Sequence, residues 1–462
     1  MSTRAPKEPT VSGGRRRRIA VVPFGCKVSR IEAESLFETG PGSETAEPDT
    51  AEVVVLYGCA VTSRAERDQR RCLRRIRRDS AGATVVVSGC LARLEEERLA
   101  RLPEVDLVVP PSRLGDLSSL LDEREAGLLP GKLAPPHPGG PPEVFAATLP
   151  GEERTRAFLK IQDGCERRCA FCVVPSIRGA ERSAPLEVVE SEIRRLGDMG
   201  VPEVVLAGVH LAAWGKERGT SLLALLRALE KNRPACRVRL SSLEPMEAGE
   251  ALVESVAASP AVVPHLHLPL QSGSDAVLRR MRRGITAARF RALARRALGA
   301  NSRLHLATDL IAGFPGETDA EFEATERLVQ ELPFASLHVF PFSPRSGTRG
   351  AELFAERAVP SAIVTRRAAS LRILGEEKAR LFRRRASGTV SDAVVLRGRV
   401  ALTDHYLEAA LRAPLPPGTR VAVLLEASGP DAVLTAVPAA EAATIPPPEP
   451  TPAALPGRSE PR

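Results

Sequence analysis

Aromatic residues are scarce in this chain of 462 residues. Phe, Trp and Tyr make up 3%, with one Trp and two Tyr. Base stacking needs aromatic platforms, so any nucleic-acid contact is expected to run largely through phosphates. Long hydrophobic runs are also missing. No stretch reaches the roughly 18 apolar residues that cross a bilayer, so no membrane association is expected. Arg15-Arg16-Arg17-Arg18 near the start is followed only by the short apolar run Ile19 to Val22, not by the apolar h-region of a signal peptide, so none is expected. Cysteine is sparse for the length, at 8 residues. That excludes a disulfide scaffold and suits metal or cluster binding in a reducing compartment, so a cytoplasmic protein is expected.

Charge and core-forming residues are present in quantity. The formal net charge is +8, and 43% of the residues are hydrophobic. The length allows about three domains. A basic balance favours an anionic partner, of which nucleic acid is the commonest. Arginine far outnumbers lysine, so part of that balance reflects composition alone.

Cys165, Cys169 and Cys172 stand at spacing C-x3-C-x2-C directly after the apolar run Phe158 to Ile161. Thiolates hold iron–sulfur clusters, and a cubane uses four of them. With three cysteines and no fourth nearby, one iron stays open to a small molecule. A zinc knuckle is the plainer alternative, but zinc sites pair C-x2-C units with a fourth ligand.

The N-terminal part, residues 18–112, alternates short apolar strands with helices, which predicts a parallel sheet. Strands are expected at Ile19 to Val22, Val53 to Tyr57, Thr84 to Ser88 and Asp106 to Val109, with helices at Arg64 to Arg78 and Leu94 to Leu102. Cys26, Cys59 and Cys90 each follow a Gly at a strand end. Ligands bind beyond the carboxyl ends of parallel strands, and neighbouring strands lie about 4.8 Å apart. The three cysteines are therefore expected to converge on a second three-Cys cluster site. Three buried packing cysteines are the alternative. Cys72 and Cys236 lack this address and are read as packing residues.

Residues 1–17 are expected to be a disordered basic tail, 113–150 a Pro/Gly-rich linker and 439–462 a disordered tail. Six strand–helix units in 151–380 predict a partial (βα)6 barrel of TIM type, with polar motifs at strand ends on its catalytic face. His210, His265 and His267 are expected to be structural. Thr365 to Arg385 reads as a basic helix ending in Arg383-Arg384-Arg385. Short strands in 381–438 predict a small β-barrel.

Taken together, the order of a three-Cys α/β domain, a C-x3-C-x2-C partial barrel and a small β-barrel resembles the radical S-adenosylmethionine (SAM) methylthiotransferases over about residues 19 to 437. The terminal barrel is similar to a TRAM domain, most clearly at Ala401 to Leu407. Gly25-Cys26-Lys27-Val28, Lys160 to Cys165 and Leu240-Ser241-Ser242-Leu243-Glu244-Pro245 resemble the branch acting on threonylcarbamoyladenosine in tRNA. Tyr57-Gly58 departs from the Asn-Thr usual in the family, and Ser29 from its usual Asn.

The resemblance implies two [4Fe–4S] clusters, one on Cys165, Cys169 and Cys172 and one on Cys26, Cys59 and Cys90. It also implies SAM on the first cluster. Phe171, Ser241, Glu244, Gln271 and Ser272 are the expected SAM contacts. Insertion of sulfur and methyl at C2 of a tRNA adenosine is implied as the reaction. The implied partners are tRNA and an electron donor such as a flavodoxin or ferredoxin, and the implied state is a monomer. Alternatives are an isopentenyladenosine-tRNA or ribosomal-protein aspartate methylthiotransferase, another radical SAM enzyme with an auxiliary cluster, and a non-catalytic iron–sulfur RNA-binding protein.

Overall fold

A computed structural model describes residues 17–38, 43–60, 63–129, 131–134, 145–150 and 155–442. The chain divides into two compact units, Met1–Phe382 and Arg383–Arg462.

The first unit opens with a parallel sheet of five strands: β1 (Arg17–Pro23), β2 (Ser43–Thr45), β3 (Val53–Gly58), β4 (Thr84–Gly89) and β5 (Leu107–Val108), in the order β2-β1-β3-β4-β5. Both faces are buried, as a parallel sheet requires. Val53, Val55 and Tyr57 pack to one side, and Val54 and Leu56 to the other. The helix Ser63–Asp79 covers the second side through Leu73 and Ile76.

Two sequence expectations are corrected here. Arg17, assigned to the basic tail, opens β1 and is buried, with its guanidinium 2.5 Å from Asp122. The proposed linker 113–150 is not structureless in its first part. Pro111–Asp116 forms a 3-10 turn and Leu117–Glu125 an α-helix, and Leu114, Leu117, Leu120 and Leu121 join the first face of the sheet. That helix is short and sits among Pro and Gly, which hides its leucine spacing in a composition reading. The Pro-rich residues 135–144 lie outside the described residues, as do 1–16 and 443–462.

The barrel follows with β6 (Ala146–Thr148), β7 (Ala157–Asp163), β8 (Arg182–Ser183), β9 (Glu203–Gly208), β10 (Arg237–Leu240), β11 (His265–His267), β12 (His305–Ala312) and β13 (Ser336–Pro341). β7, β9 and β10 run parallel, as do β11, β12 and β13. The Leu243 amide donates to the His267 carbonyl across the junction of the two sets at 2.8 Å. One continuous apolar core fills the inside and the helical layer. Six parallel strands without closure make the partial barrel that the sequence predicts. β6 and β8 are antiparallel additions to β7. The helix Lys27–Glu38 joins the sheet to the barrel, since Val28 and Ile31 pack with Ala207, Phe158 and Val209.

The second unit is a closed barrel of β14 (Val390–Arg397), β15 (Val400–Thr403), β16 (Glu408–Leu411), β17 (Arg420–Ser428) and β18 (Val433–Pro438). Its inside is filled by small and branched residues such as Val394, Leu402, Leu411, Val423 and Leu434. Among the described residues, no helix is long and apolar enough to cross a membrane.

Candidate active site

The first cysteine set sits at three strand ends. Gly25, Gly58 and Gly89 precede Cys26, Cys59 and Cys90. Gly25 has φ 103° and Gly89 φ 86°, values that favour glycine. A Cβ on Gly25 would overlap Cys59, so these turns pack directly against one another. Gln69 is fully buried and clamps the Cys59 backbone. Its Oε1 accepts from the Cys59 amide at 2.9 Å, and its Nε2 donates to the Cys59 carbonyl at 2.8 Å. Ser29 Oγ lies 3.5 Å from Cys26 Sγ.

The second set lies in the loop after β7. Gln162 donates to the carbonyls of Asp163 and Gly164 at 3.0 and 2.9 Å. Further along, the Cys165 amide donates to Gly179 at 3.0 Å and the Ala170 amide to Met281 at 2.9 Å. A loop pinned at that many points presents its thiols in fixed directions.

All eight cysteines are free thiols. Burial, with nearby thiols adding to it, pushes Cys90 and Cys172 up to about 11 and Cys165 to about 12. Metal binding here must displace protons. Cys72 packs in the core beside the first sheet, and the Cys236 thiol points to the Ile193 carbonyl at 3.6 Å. Neither lies in a cysteine set.

The two sets are neighbours. Ala60 and Cys90 pack with Val173 and Ile177, just past Cys172. A buried polar network also spans them. Arg178 donates to both Glu32 oxygens at 2.8 and 2.9 Å, to Asp163 at 2.9 Å and to Cys90 Sγ at 3.3 Å. Lys160, 1% exposed, bridges Glu32 at 2.5 Å and Asp163 at 2.7 Å. Tyr57, the departure from the family pattern, donates its hydroxyl to Glu32 at 2.9 Å. Burial opposes the charge on Asp163, but Arg178 and Lys160 override it and hold the carboxyl at about 2.

A pocket of about 200 Å³ opens beside the second set, lined by Phe171, Cys172, Gln271, Asp309 and Phe342 among others. Gln271 sits at φ 81°, a strained value for a side-chain-bearing residue. Its amide donates to the Asp309 carbonyl at 2.8 Å, and its own carbonyl accepts from Ile311 at 2.9 Å. Burial opposes ionisation of Asp309. Hydrogen bonds from His267 at 2.9 Å and His338 at 3.0 Å nevertheless hold it below the usual carboxylate range.

The expected SAM contacts separate in the structure. Phe171 and Gln271 line the pocket. Ser241 directly follows β10 with a buried Oγ that has no hydrogen-bond partner, as a hydroxyl kept for a ligand would. Glu244 is instead paired with Arg283 at 2.8 and 2.5 Å. Ser272 is fully buried, and its Oγ contacts Thr325 and the Ser274 amide, each at 3.2 Å. His210 was expected to be structural without a ligand-like partner, and the structure corrects this. Its Nδ1 lies 2.7 Å from Glu181 and 3.8 Å from Cys165 Sγ, and its Nε2 lies 3.1 Å from Glu247. His267, expected to be structural in the same way, faces Asp309 and Ser242 Oγ, the latter at 2.7 Å.

Comparison with known proteins gives the same layout. One family profile, described as the radical SAM superfamily, matches residues 159–329. Another, described as uncharacterized protein family UPF0004, matches residues 18–110. The threonylcarbamoyladenosine tRNA methylthiotransferase MtaB of Thermotoga maritima is 32% identical over 400 residues, covering 84% of this chain and 90% of the relative. The tRNA-2-methylthio-N(6)-dimethylallyladenosine synthase of Anaeromyxobacter sp. (strain K) is 35% identical over 440 residues, covering 89% and 92%. The chain belongs to the radical SAM methylthiotransferase family.

As a radical SAM methylthiotransferase it is an enzyme that uses SAM and [4Fe–4S] clusters. The two profile matches contain the two cysteine sets, one in each. Among solved structures, the radical SAM methyltransferase TsrM from Kitasatospora setae, with cobalamin and a [4Fe-4S] cluster bound, shares the fold. Its TM-score is 0.56 at 16% identity, over 75% of this chain and 80% of that one. Sequence reasoning missed Gln69, Lys160, Arg178 and Arg283 in this methylthiotransferase. Lys160 lies in the stretch that carries the resemblance, but its partner Glu32 is 128 positions away. Arg178 and Arg283 carry no local motif and act on residues 146 and 39 positions away. Gln69 acts on Cys59 10 positions away, with nothing in its own neighbourhood to mark it.

Proposed function

We propose that this enzyme is a tRNA methylthiotransferase that replaces the C2 hydrogen of N6-threonylcarbamoyladenosine at position 37 with a methylthio group. The observation that carries the reading is the adjacency of two three-Cys sites, joined by the contact of Cys90 with Val173 and Ile177. A carbon activated at one site then needs little travel to meet sulfur held at the other. Cys165, Cys169 and Cys172 would hold the SAM-binding cluster, and Cys26, Cys59 and Cys90 the auxiliary one. When bound, the first cluster would pass an electron to SAM, whose cleavage would supply the deoxyadenosyl radical, the auxiliary cluster would supply the sulfur, and a second SAM the methyl.

The protein's own part is binding, orientation and exclusion of water. Phe171, Gln271 and Ser241 would seat SAM, with Glu244 acting through Arg283. The pinned loop fixes the thiolate directions, and the apolar contact between the sites keeps water out of the gap. A ferredoxin or flavodoxin would deliver the electron. The second unit would act as a TRAM-like tRNA module.

The threonylcarbamoyl substrate is supported by the relatives named for it from Thermotoga maritima and Aquifex aeolicus, at 32% and 31% identity. A second reading, dimethylallyladenosine, is favoured by the Anaeromyxobacter relative at 35%. Anaerobic reaction of reconstituted enzyme with SAM and two tRNAs, one carrying each modified adenosine, separates the two. Methylthiolation only of the threonylcarbamoyl tRNA is expected. Methylthiolation only of the other would transfer the assignment.

A further inference from the structure

Each cysteine set has one buried arginine aimed at one of its sulfurs. Arg178 donates to Cys90 Sγ at 3.3 Å and is held by Glu32 and Asp163. Arg283 lies 3.7 Å from Cys169 Sγ and is held by both Glu244 oxygens and by the Pro269 carbonyl at 2.5 Å. The carboxylates fix each guanidinium by two parallel hydrogen bonds, a geometry that lysine cannot reproduce. Arg178 and Arg283 side chains are 10% and 3% exposed. Neither is a surface charge that happens to lie nearby. The two arginines come from unrelated elements, one at the end of the short helix Val174–Arg178 and one just past the helix Asp275–Arg280.

We propose that Arg178 and Arg283 are paired positioning residues that set the reduction potentials of the two clusters independently, Arg178 for the auxiliary cluster and Arg283 for the SAM cluster. The proposal rests on the assignment of the two cysteine sets as cluster sites. A positive donor on a ligand sulfur favours the more negative, reduced cluster, and hydrogen bonds to sulfur are among the levers on cluster potential. One guanidinium also contacts Asp163, whose carboxylate caps Gly164 immediately before Cys165. Arg178 therefore ties the auxiliary site mechanically to the start of the other loop, while its hydrogen bond to sulfur reaches only Cys90.

The test is a redox titration of anaerobically reconstituted full-length protein, followed by electron paramagnetic resonance, with iron counted in every sample. Arg178→Met should move only the auxiliary midpoint to a more negative potential, and Arg283→Met only that of the SAM cluster. Arg178→Lys and Arg283→Lys keep charge without the fork and should shift the same cluster by less. They decide the matter if a Met variant does not fold. Eight irons per chain with unchanged midpoints, or both variants shifting one cluster, would overturn the proposal. A wild-type content near four irons would instead refute the two-site assignment beneath it.

Discussion

Gly58 and Gly89 face each other as register partners at the carboxyl ends of β3 and β4. A Cβ on Gly89 would overlap the Gly58 carbonyl oxygen. With φ 86° at Gly89, this close approach is open only to glycine. It also places the following residues, Cys59 and Cys90, side by side although they are far apart in the chain.

Gly89→Ala should therefore remove the auxiliary cluster without removing the other. Iron per reconstituted chain is expected to fall from about eight to about four, the content of one cubane. Replacing Cys165, Cys169 and Cys172 together by Ala should give the same number by loss of the opposite site. A variant Gly89→Ala that keeps its full iron content would contradict the strand-end geometry.

Acid stability should report the buried carboxylates. Burial opposes ionisation of Asp163 and of Glu203, yet their arginine and lysine partners hold both at about 2. The free carboxylate value is near 4. The unfolded chain thus binds more protons between about pH 4 and pH 2, and stability falls as pH drops through that window. Above it the contribution is complete. Asp163→Asn should flatten that limb of the curve. Glu203→Gln should cost about 3–5 kcal/mol in urea unfolding at neutral pH, because Arg237 and Arg239 are left buried beside a neutral group.

Ser241 and Ser272 look alike in sequence, both being hydroxyls at strand ends, and the structure predicts opposite behaviour for them. Ser272→Ala should lower stability by about 1–2 kcal/mol, since the Ser274 amide loses its acceptor. SAM affinity should be unchanged. Ser241→Ala removes a hydroxyl without a protein partner, so stability should hold while SAM affinity falls. Equilibrium dialysis and a melting curve on each variant check both statements.

The strand-end cysteines were legible because each carries its address locally, an apolar run followed by Gly-Cys. The bridging network was not. Lys160 lies 128 positions from Glu32 and Arg178 lies 146 from it, so only the packing of the helix Lys27–Glu38 on β7 brings them together. A lysine inside an apolar strand was the available signal, and it reads as an interruption unless a partner is known. The partners of His210 were hidden for the same reason, its carboxylates Glu181 and Glu247 being 29 and 37 positions away. The basic helix shows the converse. Its residues read as a charged face, yet Arg367 is buried on Glu317 and Asp319. Arg383 and Arg384 bond the carbonyls of Pro430, Asp431 and Ala432.

For that reason Arg383→Ala should destabilise the turn between β17 and β18 by about 1 kcal/mol, visible as a lower melting temperature. Its effect on the salt dependence of tRNA binding should be below the slope of roughly 0.7–0.9 expected for one lost phosphate contact. A full unit of slope lost with no change in melting would show that this guanidinium faces RNA.

Nucleoside mass spectrometry of tRNA from a strain lacking this gene tests the central claim most directly. The 2-methylthio derivative of threonylcarbamoyladenosine should disappear, its unmodified precursor should accumulate, and the wild-type gene but not a Cys90→Ala or Cys169→Ala gene should restore it. Unchanged levels of that nucleoside in the deletion strain, or loss of the dimethylallyl derivative alone, would contradict the account.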